Sequence, residues 1–277
     1  MNNLLKKYFF ILIKIAVVPA VVTIVVWLAF KFVGGEIIAN YEGPGILSWL
    51  SRLYFNFDFG IAGGWALSNQ PVAPYLWGAI ATTGTITFIA IAVVIVISLF
   101  WSYIFWRYPF SIWSKSGSMV IRFFSSWPIL IGAIILAVVS KGQAFSSILL
   151  PALALAFFDN NLNDFKDNLN DEIKNVLNSD YAAAVVGQGR NFFKNLSPEI
   201  LWKILSFISS RLPALVSGII ILELYFNING IYTFLKMFYE TRDLNAILGI
   251  TFLVSFLLAI WSSIFTVIHS LIDPRQR

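Results

Sequence analysis

The sequence predicts an all-α, polytopic membrane helix bundle of about six transmembrane helices with a cytoplasmic amphipathic helix, and three observations carry that prediction. Hydrophobic residues fill 58% of the 277 positions and charged ones only 12%, against about 25% charged in an ordinary soluble domain. The apolar residues are gathered into long runs, as a bilayer core of roughly 30 Å requires when every backbone hydrogen bond must close inside a helix. The cations flank those runs unevenly, which is the pattern that sets membrane orientation.

Six runs follow in order: 8–33, 76–105, 119–140, 146–158, 212–228 (with a start as early as 200) and 246–272. The first follows Lys6 and Lys7; it is about twice the length of a signal-peptide core and lacks a small-residue cleavage site, so it reads as a true first span. Residues 34–75 form an exported loop rich in glycine and aromatics, too short for a domain of its own and expected to cap the spans. Trp101, Tyr103, Trp106, Tyr108 and Trp113 gather where the second run ends, as an interfacial belt does. The fourth run is the shortest. Taken together, residues 1–277 are expected to form a single transmembrane domain.

Residues 159–199 are the longest polar stretch, expected on the cytoplasmic side. Leu162, Phe165, Leu169, Ile173, Val176, Leu177, Tyr181 and Ala184 recur every three or four positions, the stripe of an amphipathic helix. Asp164, Asp167, Asp171 and Glu172 fall on its other face, where solvation is the simplest role. Ser179 and Asp180 are good helix starters, and Gly187 and Gly189 bracket Gln188, which predicts a second short helix ending at a glycine hinge.

With an N-terminus on the cytoplasmic side, ten Lys and Arg fall inside and four outside, which obeys the positive-inside rule. Lys14, Lys31, Arg122, Lys203 and Arg211 lie in or at the ends of apolar runs, where long cationic side chains snorkel to the interface. Glu223 reads either as an interfacial carboxylate bonded to a neighbouring span or as a gate or pathway residue. His269 reads as an interfacial side chain near a helix end.

Several chemistries are excluded as expectations. There is no cysteine and one histidine, so neither a disulfide framework nor a metal site is predicted. No G-x-x-x-x-G-K-[ST] occurs, so the chain holds no ATP of its own. No nucleophile–base pair or paired carboxylates appear in the spans, so neither catalytic residue nor cofactor is expected. The net charge of +5 is scattered over short loops without a nucleic-acid-binding patch. A secondary transporter would want an internal repeat and clustered ionisable groups, which are not found.

Leu150-Pro151-Ala152-Leu153-Ala154-Leu155, then Asp180-Tyr181 with Gly189, then 217–223 (SGIIILE), Phe226-Asn227, Gly230, Arg242-Asp243 and the run 271–277 (LIDPRQR) stand in an order that resembles the inner-membrane components of binding-protein-dependent ATP-binding-cassette importers. The branch resembled is that of dipeptide, oligopeptide and nickel permeases, whose motifs read LPALTLAL, DY, AKG, GGAVVVE, VFN, PGLG, RDY and LLDPRIR. The likeness covers residues 146–277 well and 45–145 weakly, through Asn56-Phe57-Asp58-Phe59-Gly60 and Pro71-Val72. Where these permeases carry basic residues around the DY turn, this chain has Ala182, Ala183, Val185 and Val186, and Gly189 stands 24 residues before Pro213, a different spacing.

The resemblance implies a bacterial inner-membrane, multi-pass permease subunit with both termini cytoplasmic. It would be driven by two separate ATPase subunits and paired with a homologous second permease chain and an extracytoplasmic solute-binding protein. Asp180, Tyr181, Ala184, Gly187 and Gly189 would carry the coupling to the ATPase, and Glu223 would lie on the translocation pathway. The altered coupling segment keeps a second reading open, a permease-like structural subunit of a larger membrane complex.

Overall fold

The computed structural model describes residues 2–33, 45–62, 70–108, 111–140, 148–180, 184, 187–188 and 192–272. Among them the secondary structure is helical: α1 (Asn2–Val33), α2 (Ile46–Asn56), α3 (Ala73–Arg107), α4 (Ile112–Ser125), α5 (Ile129–Ser140), α6 (Leu149–Phe157), α7 (Asn161–Leu177), α8 (Phe192–Phe226), α9 (Ile231–Glu240) and α10 (Leu244–Ile272). The all-α, multi-pass architecture expected from composition is what is observed. Among the described residues four helices are long and apolar enough to cross a bilayer: Tyr8–Phe32, Ala73–Phe105, Ile204–Phe226 and Leu244–Ile268.

The remaining two apolar runs take other forms. Run 119–140 is broken into Lys115–Ser125 and Ile129–Val139, bent by 101°. Its cause is local: Pro128 disfavours helical geometry at Trp127 and brings no amide of its own. Run 146–158 becomes the nine-residue α6, too short at about 14 Å to cross alone.

The chain divides into two compact units, Met1–Thr83 with Asn229–Ile264, and Gly84–Ile228 with Phe265–Arg277. In the first unit, α2 buries Trp49, Leu50 and Leu53, and its core is shared with Phe59, Val72, Leu76 and the stretch of α10 from Leu244 to Leu253. This is the packing expected of a loop that caps spans. Phe57 ends α2 in the left-handed region (φ 51°), and Asp58 Oδ1 accepts the Gly60 amide at 2.8 Å. Gly60, at φ 83°, then lets the chain turn into a short bridge between Ile61 and Pro71. Tyr54 donates its hydroxyl to the Ala16 carbonyl, and desolvation there pushes its pKa above the ordinary value of 10.0.

The second unit is built on close approach. Ala133, Ala152, Ala154 and Ala156 are fully buried, and side chains this small let helix backbones pack tightly where lipid offers no hydrophobic drive between helices. Gly132 of α5 lies directly under the Phe158 ring, with an added Cβ falling 2.1 Å from its Cδ2. Ile86, Ala90 and Val94 of α3 and Leu215, Ile219 and Leu222 of α8 complete the core.

Candidate functional site

The polar segment 159–199 is where sequence and structure concentrate unusual chemistry, and it is built from the break between α4 and α5 upward. A bent helix leaves carbonyls without intrahelical partners. Here the Ser125 carbonyl accepts the Asn160 amide at 2.6 Å and the Trp127 carbonyl accepts the Asp159 amide at 3.0 Å. To present both amides, Asp159 and Asn160 adopt left-handed backbone (φ 57° and 61°), which Asp and Asn tolerate better than other non-glycine residues. Asn161, itself buried, donates Nδ2 to the carbonyls of Leu155 (2.9 Å) and Phe158 (3.2 Å), closing the end of α6. One tripeptide thus ties α6, α7 and the α4–α5 bend together.

From that anchor α7 presents its stripe inward as expected, with Leu162, Phe165, Leu169 and Val176 buried. Its acids differ from the expectation of a solvated face. Asp164 accepts Asn160 Nδ2 on one oxygen at 2.6 Å and is ion-paired through the other to Arg211 of α8. Asp167 takes Arg122 of α4 at 3.6 Å and Lys166 at 3.1 Å, again one cation per oxygen. Lys166 is buried to 1% exposure, so Asp167 supplies the countercharge that a buried ammonium requires. Arg211 and Asn161 are the polar members of a small cleft otherwise walled by Ile91, Val94, Ile95, Phe165, Ile208 and Leu215. Asp171 behaves as a surface acid, 73% exposed beside Lys174.

Four of the five cations assigned to snorkelling have defined partners too, and the Lys203 side chain lies outside those described. Arg122 and Arg211 hold α7, Lys14 Nζ donates to Ser262 Oγ at 2.7 Å, and Lys31 lies 5.1 Å from the Trp27 ring centre. These partners come from 45 or more residues away for Arg122 and Arg211, so α7 read alone does not reveal them.

Of the residues expected to couple to a partner, Asp180, Ala184 and Gly187 are exposed, while Tyr181 and Gly189 lie outside the described residues. The Gln188 amide bonds to the Ala184 carbonyl at 3.0 Å, one helical turn, and a methyl on Gly187 would meet nothing within 4 Å. Gly187 is therefore not there for lack of room. Glu223, in the last turn of α8, is fully buried with Leu222 and Ile219, and its carbonyl accepts the Ile228 amide at 3.0 Å. That bond and the left-handed Asn227 (φ 51°) form a helix-ending turn. The same device recurs in the first unit. Arg242 (φ 59°) ends α9 as the Asp243 amide reaches the Phe238 carbonyl at 2.8 Å, and Asp243 Oδ1 caps α10 at the Ala246 amide, 3.1 Å. No group of His, Asp and Glu suited to a metal occurs among the described residues.

Fold and site define a multi-pass α-helical membrane protein with a charged helix lashed to its membrane segments. Residues 176–277 match the family model of the binding-protein-dependent transport system inner membrane component. The match opens at the end of α7, takes in α8, α9 and α10, and spans less than half of the chain. No curated protein matches the chain.

Proposed function

We propose that the chain is the transmembrane permease subunit of an ATP-binding-cassette importer, moving short peptides or a related small solute by alternating access. The observation that carries this reading is the family match over residues 176–277, which includes the exposed Asp180, Ala184 and Gly187 where an ATPase would dock. Two ATPase subunits, a homologous second permease and an extracytoplasmic binding protein complete the assembly, with the termini of this chain in the cytoplasm of a bacterial cell. ATP-driven closure of the ATPases pushes on Asp180, Tyr181, Ala184, Gly187 and Gly189, and the spans rock in response. Glu223, buried near the end of α8, lies on the solute pathway.

The test is a mild-detergent pull-down of the tagged chain from its native membrane, repeated with 187–189 replaced by a flexible linker. Recovery of an ATPase and a sister permease, lost in the variant, is the expected result. The apolar Ala182, Ala183, Val185 and Val186 favour the second reading, a permease-like structural subunit. Partners recovered without any ATPase would establish that reading instead.

A further inference from the structure

We propose that Asp164 and Asp167 are positioning residues that clasp α7 to α8 and α4, so that a displacement of the segment after α7 reaches the membrane helices as one rigid movement. This rests on the permease reading for its purpose, though not for its geometry.

Both oxygens of each carboxylate have a partner. Asp164 divides its oxygens between Asn160 and Arg211, and Asp167 divides its own between Lys166 and Arg122. A solvated surface acid has no reason to spend both oxygens on fixed partners. The two acids are three residues apart, adjacent on one face of α7, yet they reach two different membrane helices. With the Asp159 and Asn160 amides bound to the α4–α5 bend, α7 is held at three separate places.

The place of the α8 contact matters. Arg211 stands two residues before Pro213, which has no amide to give the helix. The ladder of α8 is interrupted there, so the clasp grips α8 where it bends most easily. Arg211 also borders an apolar cleft, where a cation without a countercharge is costly. Loss of the Asp164 charge would therefore push Arg211 toward solvent and release α8 from α7.

Amide hydrogen exchange of α7 in the purified full chain, reconstituted in lipid nanodiscs, reads the clasp without any partner. Asp164→Asn and Arg211→Gln are each expected to speed exchange over Leu162–Val176 by about tenfold, as local opening becomes easier. Asp164→Glu and Arg211→Lys, which keep the charges, are expected to stay near the parent. Arg122→Gln, at a partner of Asp167 that is 66% exposed, is the milder variant should the others fail to fold. Unchanged exchange in all three neutralising variants would overturn the clasp.

The second readout is the complex recovered by pull-down. Asp164→Asn should retain the ATPase while changing its hydrolysis rate severalfold. An ATPase retained at unchanged rate, with α7 loosened, would refute the transmission role. If the parent chain recovers no ATPase, the permease reading fails, and the exchange experiment still decides whether the clasp exists.

Discussion

Replacing Gly132 by alanine tests the packing of the second unit at its tightest point. The new Cβ would fall 2.1 Å from Cδ2 and 2.3 Å from Cγ and Cε2 of Phe158, far inside any contact distance. Relief by movement of the ring is blocked: Phe158 is 5% exposed, its amide is held by the Ala154 carbonyl at 3.1 Å, and the two residues after it are bonded to Trp127 and Ser125. Overpacking of this kind costs about 1–3 kcal/mol, and the better helix propensity of alanine returns about 0.5–1 kcal/mol. The expected balance is a loss of about 1–2 kcal/mol, read as an apparent melting temperature about 2–8 °C lower in detergent. Gly84→Ala is the control. Its Cβ would meet nothing within 4 Å, so it should match or exceed the parent. The double variant Gly132→Ala, Phe158→Ala should lose less than the sum of its parts, because the methyl occupies space the ring vacates. A Gly132→Ala protein as stable as the parent would refute the rigidity assigned to this junction.

Three other outcomes follow from the same coordinates. Asp159→Gly should stabilise by about 0.5–1 kcal/mol, since glycine takes φ 57° without strain, whereas Asp159→Val should cost about 1–2 kcal/mol in the same melting assay. Asn161→Leu, by orphaning the Leu155 carbonyl, should cost about 1–3 kcal/mol and speed exchange at the start of α7. Tyr54 has its pKa raised by burial from the model-peptide value of 10.0, so the folded chain holds that proton more tightly than the unfolded one. Its contribution is complete below pH 10 and is lost as pH climbs through the raised value. The parent's melting temperature should therefore fall more steeply above pH 10 than that of Tyr54→Phe.

How much of this was legible beforehand differs by element for physical reasons. The long apolar runs became α1, α3 and α10 almost as bounded, because membrane helices are specified by hydropathy alone. The amphipathic stripe likewise located α7, and the resemblance motifs at Phe226-Asn227 and Arg242-Asp243 proved to be helix-ending and helix-starting turns. Run 119–140 looked continuous because hydropathy averages over Ser125-Ser126-Trp127-Pro128; the proline was the available signal. The roles of Asp164 and Asp167 were not legible because periodicity describes one helix, while Arg122 and Arg211 arrive from elsewhere in the chain. The left-handed pair Asp159 and Asn160 left no stronger trace than two turn-favouring residues in a row.

The bend between α4 and α5 also decides which lipids this part of the chain meets. Each apolar half, Lys115–Ser125 and Ile129–Val139, is about 16 Å long at 1.5 Å per residue, and a bend of 101° leaves their far ends only about 21 Å apart, short of a hydrocarbon core of roughly 30 Å. The pair is a broken span or a re-entrant loop and not one straight crossing. Met119, Val120, Phe123, Val138 and Val139 are all exposed, so the lipid that touches them bears directly on the helix that carries Arg122.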